Sequence, residues 1–312
     1  MNLVSIDIHI YSAGEGGFSC RIETKIGNWM NKKGFKKKIP NIIFGLIFLT
    51  GICVMLYPSV SNYINSLHQS RAVFSYKEAL AAIPQEDYDR FWNEADRYNE
   101  ALSQKAMNFN LSEEELEEYN SVLDPTGTGV IGTIEIENIG VNLPIYHGTE
   151  ETVLQVGIGH LEGTSFPTGH GTTHVVLSGH RGLPSAKLFT DLDQMIEGDT
   201  FLLHIMDQTF AYQVDQIKIV LPEETNDLAI VNGKEYVTLV TCTPYGVNTH
   251  RLLVRAKRVD YSEETKLIVP ADATRYGTLM VAPFIGVPLL LIAFIIYLIM
   301  TSKRVTAKRN RK

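Results

Sequence analysis

The chain has 312 residues, 45% hydrophobic and 20% charged, an ordinary globular composition with length for one or two domains that have a real core. Its net charge of −7 is unevenly spread: between positions 58 and 278 there are 15 Lys and Arg against 32 Asp and Glu, a local net of −17, so the ends are basic and the middle strongly acidic. An acidic middle argues against nucleic acid as a partner.

Residues 1–30 are Gly-containing and lack periodicity, and they do not read as an organised domain. Met30 opens MNKKGFKKKIPN, a basic lead into a membrane anchor and a second candidate start, which would leave 1–29 untranslated. Residues 39–57 carry no charge and span about 28 Å as a helix. That run is long for a signal sequence, and no small-x-small cleavage site follows it.

From Val60 to about Leu123 the pattern is helical. Tyr88, Phe91, Ala95, Tyr98, Leu102 and Ala106 form one apolar stripe on an acidic helix that starts near Pro84. Ser112 and Glu115 predict a capping box for a last helix over 112–122. The texture changes at Asp124-Pro125-Thr126-Gly127-Thr128-Gly129, a turn-rich linker. Strands are predicted at 130–136, 141–146, 174–178, 200–205, 209–220, 236–241 and 250–259, with helical pieces at 152–156 and 186–195. Many short strands with turn signals between them predict an all-β barrel or sandwich. A polar stretch, 261–278, leads to a second uncharged run, 279–300, about 33 Å long as a helix.

Lys32, Lys33, Lys36, Lys37 and Lys38 precede the first run, and Lys303, Arg304, Lys308, Arg309, Arg311 and Lys312 follow the second. The positive-inside rule puts both termini in the cytoplasm and the acidic middle outside. The basic tails need no ligand beyond anionic lipid headgroups.

Of three cysteines, Cys20 lies in the leader, Cys53 in the first run and Cys242 alone in the outer region. A lone external thiol is a bridge to another chain, an inert buried group or a reactive one. Its setting is YVTLVTCTPYGVNTHRLLVRAKR, residues 236–258, which reads as strand, tight loop, strand. A hairpin-like connection makes Cys242 and Arg251 neighbours. A fixed positive charge favours the thiolate, the reactive form. The general base is sought among the histidines. His180 ends the apolar run Val175-Val176-Leu177 inside Ser178-Gly179-His180-Arg181-Gly182, where glycines let other segments approach. A zinc site at His170 and His174 is disfavoured, because TGHGTTHVV is Gly- and Thr-rich and leads into a strand. A hydrolase built on Ser178 is disfavoured because its surroundings are not GxSxG. No metal or other cofactor is expected.

TLVTCTPYGVNTHRLLVR resembles the Cys–Arg signature of sortases, the cysteine transpeptidases of Gram-positive cell surfaces, and its CTPYGVNTHRL form is similar to the pilin-polymerising class C branch. Ser178-Gly179-His180-Arg181 resembles the family's histidine motif, and two spans with cytoplasmic ends match class C. The resemblance implies a mainly β fold, an eight-stranded sortase β-barrel with an N-terminal helical extension, flanked by two transmembrane helices. It implies Cys242 as nucleophile, His180 as general acid/base and Arg251 as the residue that orients substrate and steadies the oxyanion. The implied reaction cleaves an LPXTG-like sorting signal between Thr and Gly, through a thioacyl enzyme resolved by an amine such as a pilin lysine. Asp124-Pro125-Thr126 falls where that class carries a lid, with Thr126 in place of the usual aromatic and Arg251 as the expected partner of Asp124. The expected organisation is a cytoplasmic tail 1–38, span 39–57, helical extension 58–123, lid loop 124–129, barrel 130–260, linker 261–278, span 279–300 and tail 301–312. The alternatives are a housekeeping sortase that serves the cell-wall precursor and a catalytically idle pilin-docking scaffold.

Overall fold

The computed structural model describes residues 7–13, 17–23, 32–260, 285–297 and 299–300. The unit Met1–Val54 opens with two strands, β1 (Asp7–Ala13) and β2 (Gly17–Glu23), paired antiparallel with Asp7 opposite Glu23. No organised structure was expected there.

Helix α1 runs over Lys32–Ala81. Its described portion from Ile42 exposes Ile42, Ile43, Phe44, Leu46, Ile47, Leu49 and Val54. A run of exposed large apolar side chains is covered in a bilayer and costly in water. Ile42–Ala81 is the one helix among the described residues long and apolar enough to cross a membrane. The second expected span is not matched in the same way. Its described part, Ile285–Tyr297, is an apolar helix of 13 residues, about 20 Å and short of the roughly 30 Å hydrocarbon layer. Residues 261–284, 298 and 301–312 lie outside the described residues.

Helix α2 (Gln85–Ser103) follows Pro84, which sits at the N-cap in extended conformation rather than in the first turn. Glu86 and Asp87 suit the positive end of the helix dipole. Tyr88 and Ala95 are buried and Phe91 and Tyr98 pack on the core, so the apolar stripe faces inward as expected. It is shorter than expected: the helix stops at Ser103, and Ala106 is exposed beyond it. Helix α3 (Glu113–Ser121) begins with the predicted capping box: Ser112 Oγ accepts from Glu115 N at 3.3 Å, and Glu115 Oε2 accepts from Ser112 N at 3.1 Å.

Eight strands close the barrel: β3 (Val130–Ile136), β4 (Val141–His147), β5 (Ile158–His160), β6 (Thr173–Ser178), β7 (Thr200–Ile205), β8 (Gln208–Val220), β9 (Glu235–Thr243) and β10 (His250–Val259). Their order is β10-β8-β7-β3-β4-β5-β6-β9, with β10 pairing back to β9. The β4–β5 and β6–β9 pairs are parallel and the rest antiparallel. Closure removes the exposed sheet edges. Strand alternation sorts the side chains into two clusters. On β9, Val237 and Leu239 join the main core, while Val240 packs with Val176, Leu228 and Leu253 in a smaller cluster on the other face.

The helical extension covers part of the barrel wall. Tyr76 OH donates to Ile131 O at 2.7 Å and accepts from Met206 N at 3.1 Å. Asn99 makes a two-way bond with the backbone of Phe166 at 2.8–2.9 Å. Tyr119, fully buried, stacks on His160 and Phe166. Of these contacts the Tyr76 bond reaches β3 itself, a strand whose residues are nearly all buried.

Strand β5 was not predicted, because three residues with a glycine in the middle and another just before them show no alternation. The helical piece over 186–195 is also corrected. Only Leu192–Gln194 forms a 3-10 turn, and Leu188 adopts φ 39°, which ends any helix. Ala186, Leu188, Phe189, Leu192 and Met195 imitate a helical period because an irregular loop buries them all.

Candidate active site

Antiparallel register places Cys242 on β9 directly opposite Arg251 on β10. Such pairs have Cα atoms about 4.5–5.5 Å apart and present their side chains on one face. The loop between them turns at Gly246 (φ 72°) and Asn248 (φ 61°), whose amide donates to Pro244 O at 3.0 Å. Arg251 Nη1 donates to Asn248 O at 3.3 Å and His250 O at 3.1 Å, so the same loop steadies the guanidinium. Both Cys242 and Arg251 are partly exposed.

His180 arrives from the other side of β9. Strand β6 runs parallel to β9 with Ser178 opposite Val240. Gly179 N continues the ladder to Val240 O at 3.0 Å, and Thr241 Oγ1 donates to Gly179 O at 2.7 Å. That register brings His180 level with Cys242. Gly179 is required here: a Cβ would lie 2.7 Å from both Ile158 Cδ1 and Phe189 Cδ2. Arg181 fastens the segment, donating to Thr243 Oγ1 at 3.1 Å and pairing with Asp193.

The His180 side chain is 27% exposed, yet its Nε2 is enclosed and makes no hydrogen bond among the described residues. Glu151 Oε2 lies 3.4 Å away, close enough for charge attraction but not aligned for a hydrogen bond. Glu151 sits on α4 (Glu151–Leu154). Its carboxyl is held below the usual range, first by the hydrogen bond from Gln155 and then by the charge of His180. The sequence reading missed Glu151, since an acid opening a short helix looks like a solvated first turn.

Beside this trio runs a groove of about 280 Å³ on the outer face of β6, β9 and β10. Val176, Val240, Leu253, Ser178 and Arg251 line it together with residues between Leu221 and Leu228. Phe109, from the segment between α2 and α3, also lines it. That segment presses close to Gly163, where a Cβ would meet Asn108 O at 2.1 Å. Sequence reading missed Phe109 too. A wider cleft of about 640 Å³ lies between Arg181, Asp193, Tyr245, Ile219 and Leu252.

The expected contact between Asp124 and Arg251 is not formed. Asp124 Oδ1 accepts from Thr128 N and Gly129 N, both at 3.1 Å, and so closes its own turn. Two local amides are within reach of this short side chain at little entropic cost. Pro125 and Thr126 lie in the same turn, with Thr126 Oγ1 2.6 Å from Thr128 Oγ1. The turn packs toward His147, whose Nε2 lies 2.7 Å from Val122 O and whose backbone amide donates to Gly129 O at 2.9 Å.

His170 and His174 do not share a site. His170 is exposed and 3.4 Å from Asp96, while His174 is buried between Ala229 O at 2.8 Å and Thr238 Oγ1 at 2.7 Å. Among the described residues no cluster of His, Cys, Asp and Glu is arranged to hold a metal. Ser178 lines the groove but is bonded to no imidazole among the described residues.

Comparison with known proteins identifies the fold. The Sortase domain family matches residues 134–259. The fold is similar to sortase C1 from Streptococcus agalactiae, with a TM-score of 0.60 and 49% identity over 62% of this chain and 100% of that one. It is also similar to Streptococcus pneumoniae sortase C, with a TM-score of 0.55 and 40% identity over 61% of this chain and 97% of that one. Sortase D of Bacillus subtilis is 32% identical over 131 residues, 41% of this chain and 63% of that protein, so the chain spans just under two thirds of that relative's length. An eight-stranded mixed barrel, a matching domain over its strands and near-half identity to a sortase C structure lead to one conclusion: the chain belongs to the sortase family of cysteine transpeptidases, and stands with the sortase C members of it.

Proposed function

We propose that the protein cleaves an LPXTG-like sorting signal between Thr and Gly and transfers the acyl group to an amine, a pilin lysine in pilus assembly. The observation that carries this reading is the row His180, just past the end of β6, Cys242 on β9 and Arg251 on β10, with an apolar groove beside it. In the first half-reaction the Cys242 thiolate attacks the threonine carbonyl carbon. The Arg251 guanidinium faces the oxygen that gains charge. His180 gives its proton to the glycine nitrogen as the C–N bond breaks, leaving a thioacyl enzyme. In the second half an amine attacks the thioester carbonyl, His180 takes the amine's proton, and the thiolate leaves. Val176, Val240 and Leu253 suit the apolar leucine and proline of the signal. The same reading places the protein in the cell membrane with its barrel outside, crossing at α1 and again over 279–300, with both termini in the cytoplasm.

The test uses the detergent-solubilised full chain and a sorting-signal peptide, followed by mass spectrometry. An acyl adduct on Cys242 is expected, and none in Cys242→Ala. His180→Ala and Arg251→Ala should each slow turnover at least about a hundredfold, the usual size of general acid/base and oxyanion contributions. Peptide bound without an adduct would identify a docking scaffold instead, and near-normal turnover in Arg251→Ala would remove that residue from the mechanism.

A further inference from the structure

We propose that Glu151 is a positioning residue for this reaction, acting on the His180 imidazole through its Oε2. The inference rests on the assignment of His180 and Cys242 as the reacting pair. His180 Nε2 is enclosed without a hydrogen bond, and Glu151 Oε2 stands 3.4 Å from it.

The carboxylate is itself aimed. Gln155, four residues on, donates from Nε2 to Glu151 Oε1 at 3.0 Å, so one oxygen is occupied and the other turns toward His180. The short helix that carries Glu151 is pinned. Val153 N and Leu154 N both donate to Glu150 O at 3.0 Å, and Gly157 N donates to Val153 O at 3.0 Å. Gly159 on β5 lets the helix approach, since a Cβ there would lie 3.1 Å from Leu154 Cδ2 and 2.3 Å from Gly148 O. Gly159 is also the register partner of Ser178, two residues before His180. Neighbouring strands therefore deliver acid and imidazole to one place.

The chemistry gives the contact a use. The imidazole becomes a cation whenever it takes the proton of Cys242 or of the incoming amine. Glu151 from α4 stabilises that cation, while Arg251 from β10 and Arg181 next in sequence oppose it. Glu151 is 66% exposed, so solvent and salt weaken its effect.

The experiment measures kcat and KM for a sorting-signal peptide and a free amine acceptor, with the full chain in detergent at low ionic strength and at about 1 M salt. Glu151→Gln should lower kcat about two- to fivefold at low salt, leave KM within twofold, and approach wild type at high salt. Glu151→Asp should recover part of the loss, and Gln155→Ala should fall between wild type and Glu151→Gln. An unchanged kcat in Glu151→Gln overturns the proposal. So does a loss confined to KM, or one that salt does not diminish, because either would mark a structural or substrate-contact role. His180→Ala, assayed alongside, separates the two levels. If it stays active, the assignment of the reacting pair fails; if it is inactive while Glu151→Gln is normal, only the role of Glu151 fails.

Discussion

Buried imidazoles set how this protein meets acid. His160 is fully buried, and its Nε2 donates to Ser165 O at 2.9 Å, which leaves Nδ1 unprotonated and facing the Tyr119 hydroxyl at 2.9 Å. Burial pushes its pKa from 6.5 down to about 3, against the opposing pull of the Ser165 carbonyl. Burial lowers His147 and His174 as well. In each case the folded state refuses a proton that the unfolded chain accepts. Their contribution to stability is therefore intact above the unfolded value of about 6.5 and declines as pH falls below it, for His160 until about 3. Each such imidazole approaches a slope of about 1.4 kcal/mol per pH unit. The thermal midpoint of the detergent-solubilised protein should drop between pH 6.5 and 5, above the range where ordinary carboxylates titrate. A level midpoint across that window would contradict neutral, buried imidazoles at these three positions.

Between α2 and α3, a short segment takes up space beside the row His180, Cys242 and Arg251. Phe109 contributes an apolar ring to the groove that holds Val176, Val240 and Leu253. Asn108 braces the turn, accepting from Asn110 N and donating to Asn110 O, both at 3.0 Å. A peptide entering the groove has to displace that ring or share the space with it. Phe109→Ala should lower KM for a sorting-signal peptide several-fold, less than the roughly tenfold or more that displacing a fully buried apolar side chain would give, because Phe109 is only partly buried. Asp124→Ala behaves differently, because its carboxylate hydrogen-bonds the Thr128 and Gly129 amides of its own turn. It should reduce thermal stability by about 1 kcal/mol and leave KM unchanged. Steady-state kinetics and melting curves on the two variants separate the roles. A fall in KM for Asp124→Ala with none for Phe109→Ala would assign the cover to 124–129 instead.

Taken whole, the chain joins an acidic middle to two basic ends. A charge of −17 between 58 and 278 sits against lysine- and arginine-rich flanks, and positive charge beside a membrane span is enriched on the cytoplasmic side. Helix α1 continues from an apolar, outward-facing stretch into residues that are buried against the barrel, Gln69, Tyr76 and Leu80. One helix thus carries both the apolar stretch and part of the folded domain. Protease added to intact protoplasts should remove the region between 58 and 278 and leave tags at both termini intact. A C-terminal tag that is digested while the N-terminal tag survives would leave α1 as the single crossing.

The features legible in the sequence are those set by neighbours along the chain. Strands at 130–136, 200–205 and 250–259 coincide with β3, β7 and β10, because alternation and turn residues are local signals. The Ser112 box formed for the same reason. A tight loop between two strands forces Cys242 opposite Arg251, so that pair was readable too. His180 at the end of an apolar run was readable as a strand terminus, but its level with Cys242 came from the parallel β6–β9 register, which joins segments about 60 positions apart. Distant contacts decided the rest. Strand β5 exists only because β4 and β6 flank it. Glu151 reaches His180 from a helix seated on β5, and Phe109 reaches the groove from a loop laid over Gly163. Asp124 went to two nearby amides rather than to Arg251, because a short carboxylate bonds its own turn before it can reach across a fold. Local patterning therefore determined most of the barrel strands and the placing of Cys242 opposite Arg251, and packing between remote segments determined what surrounds them.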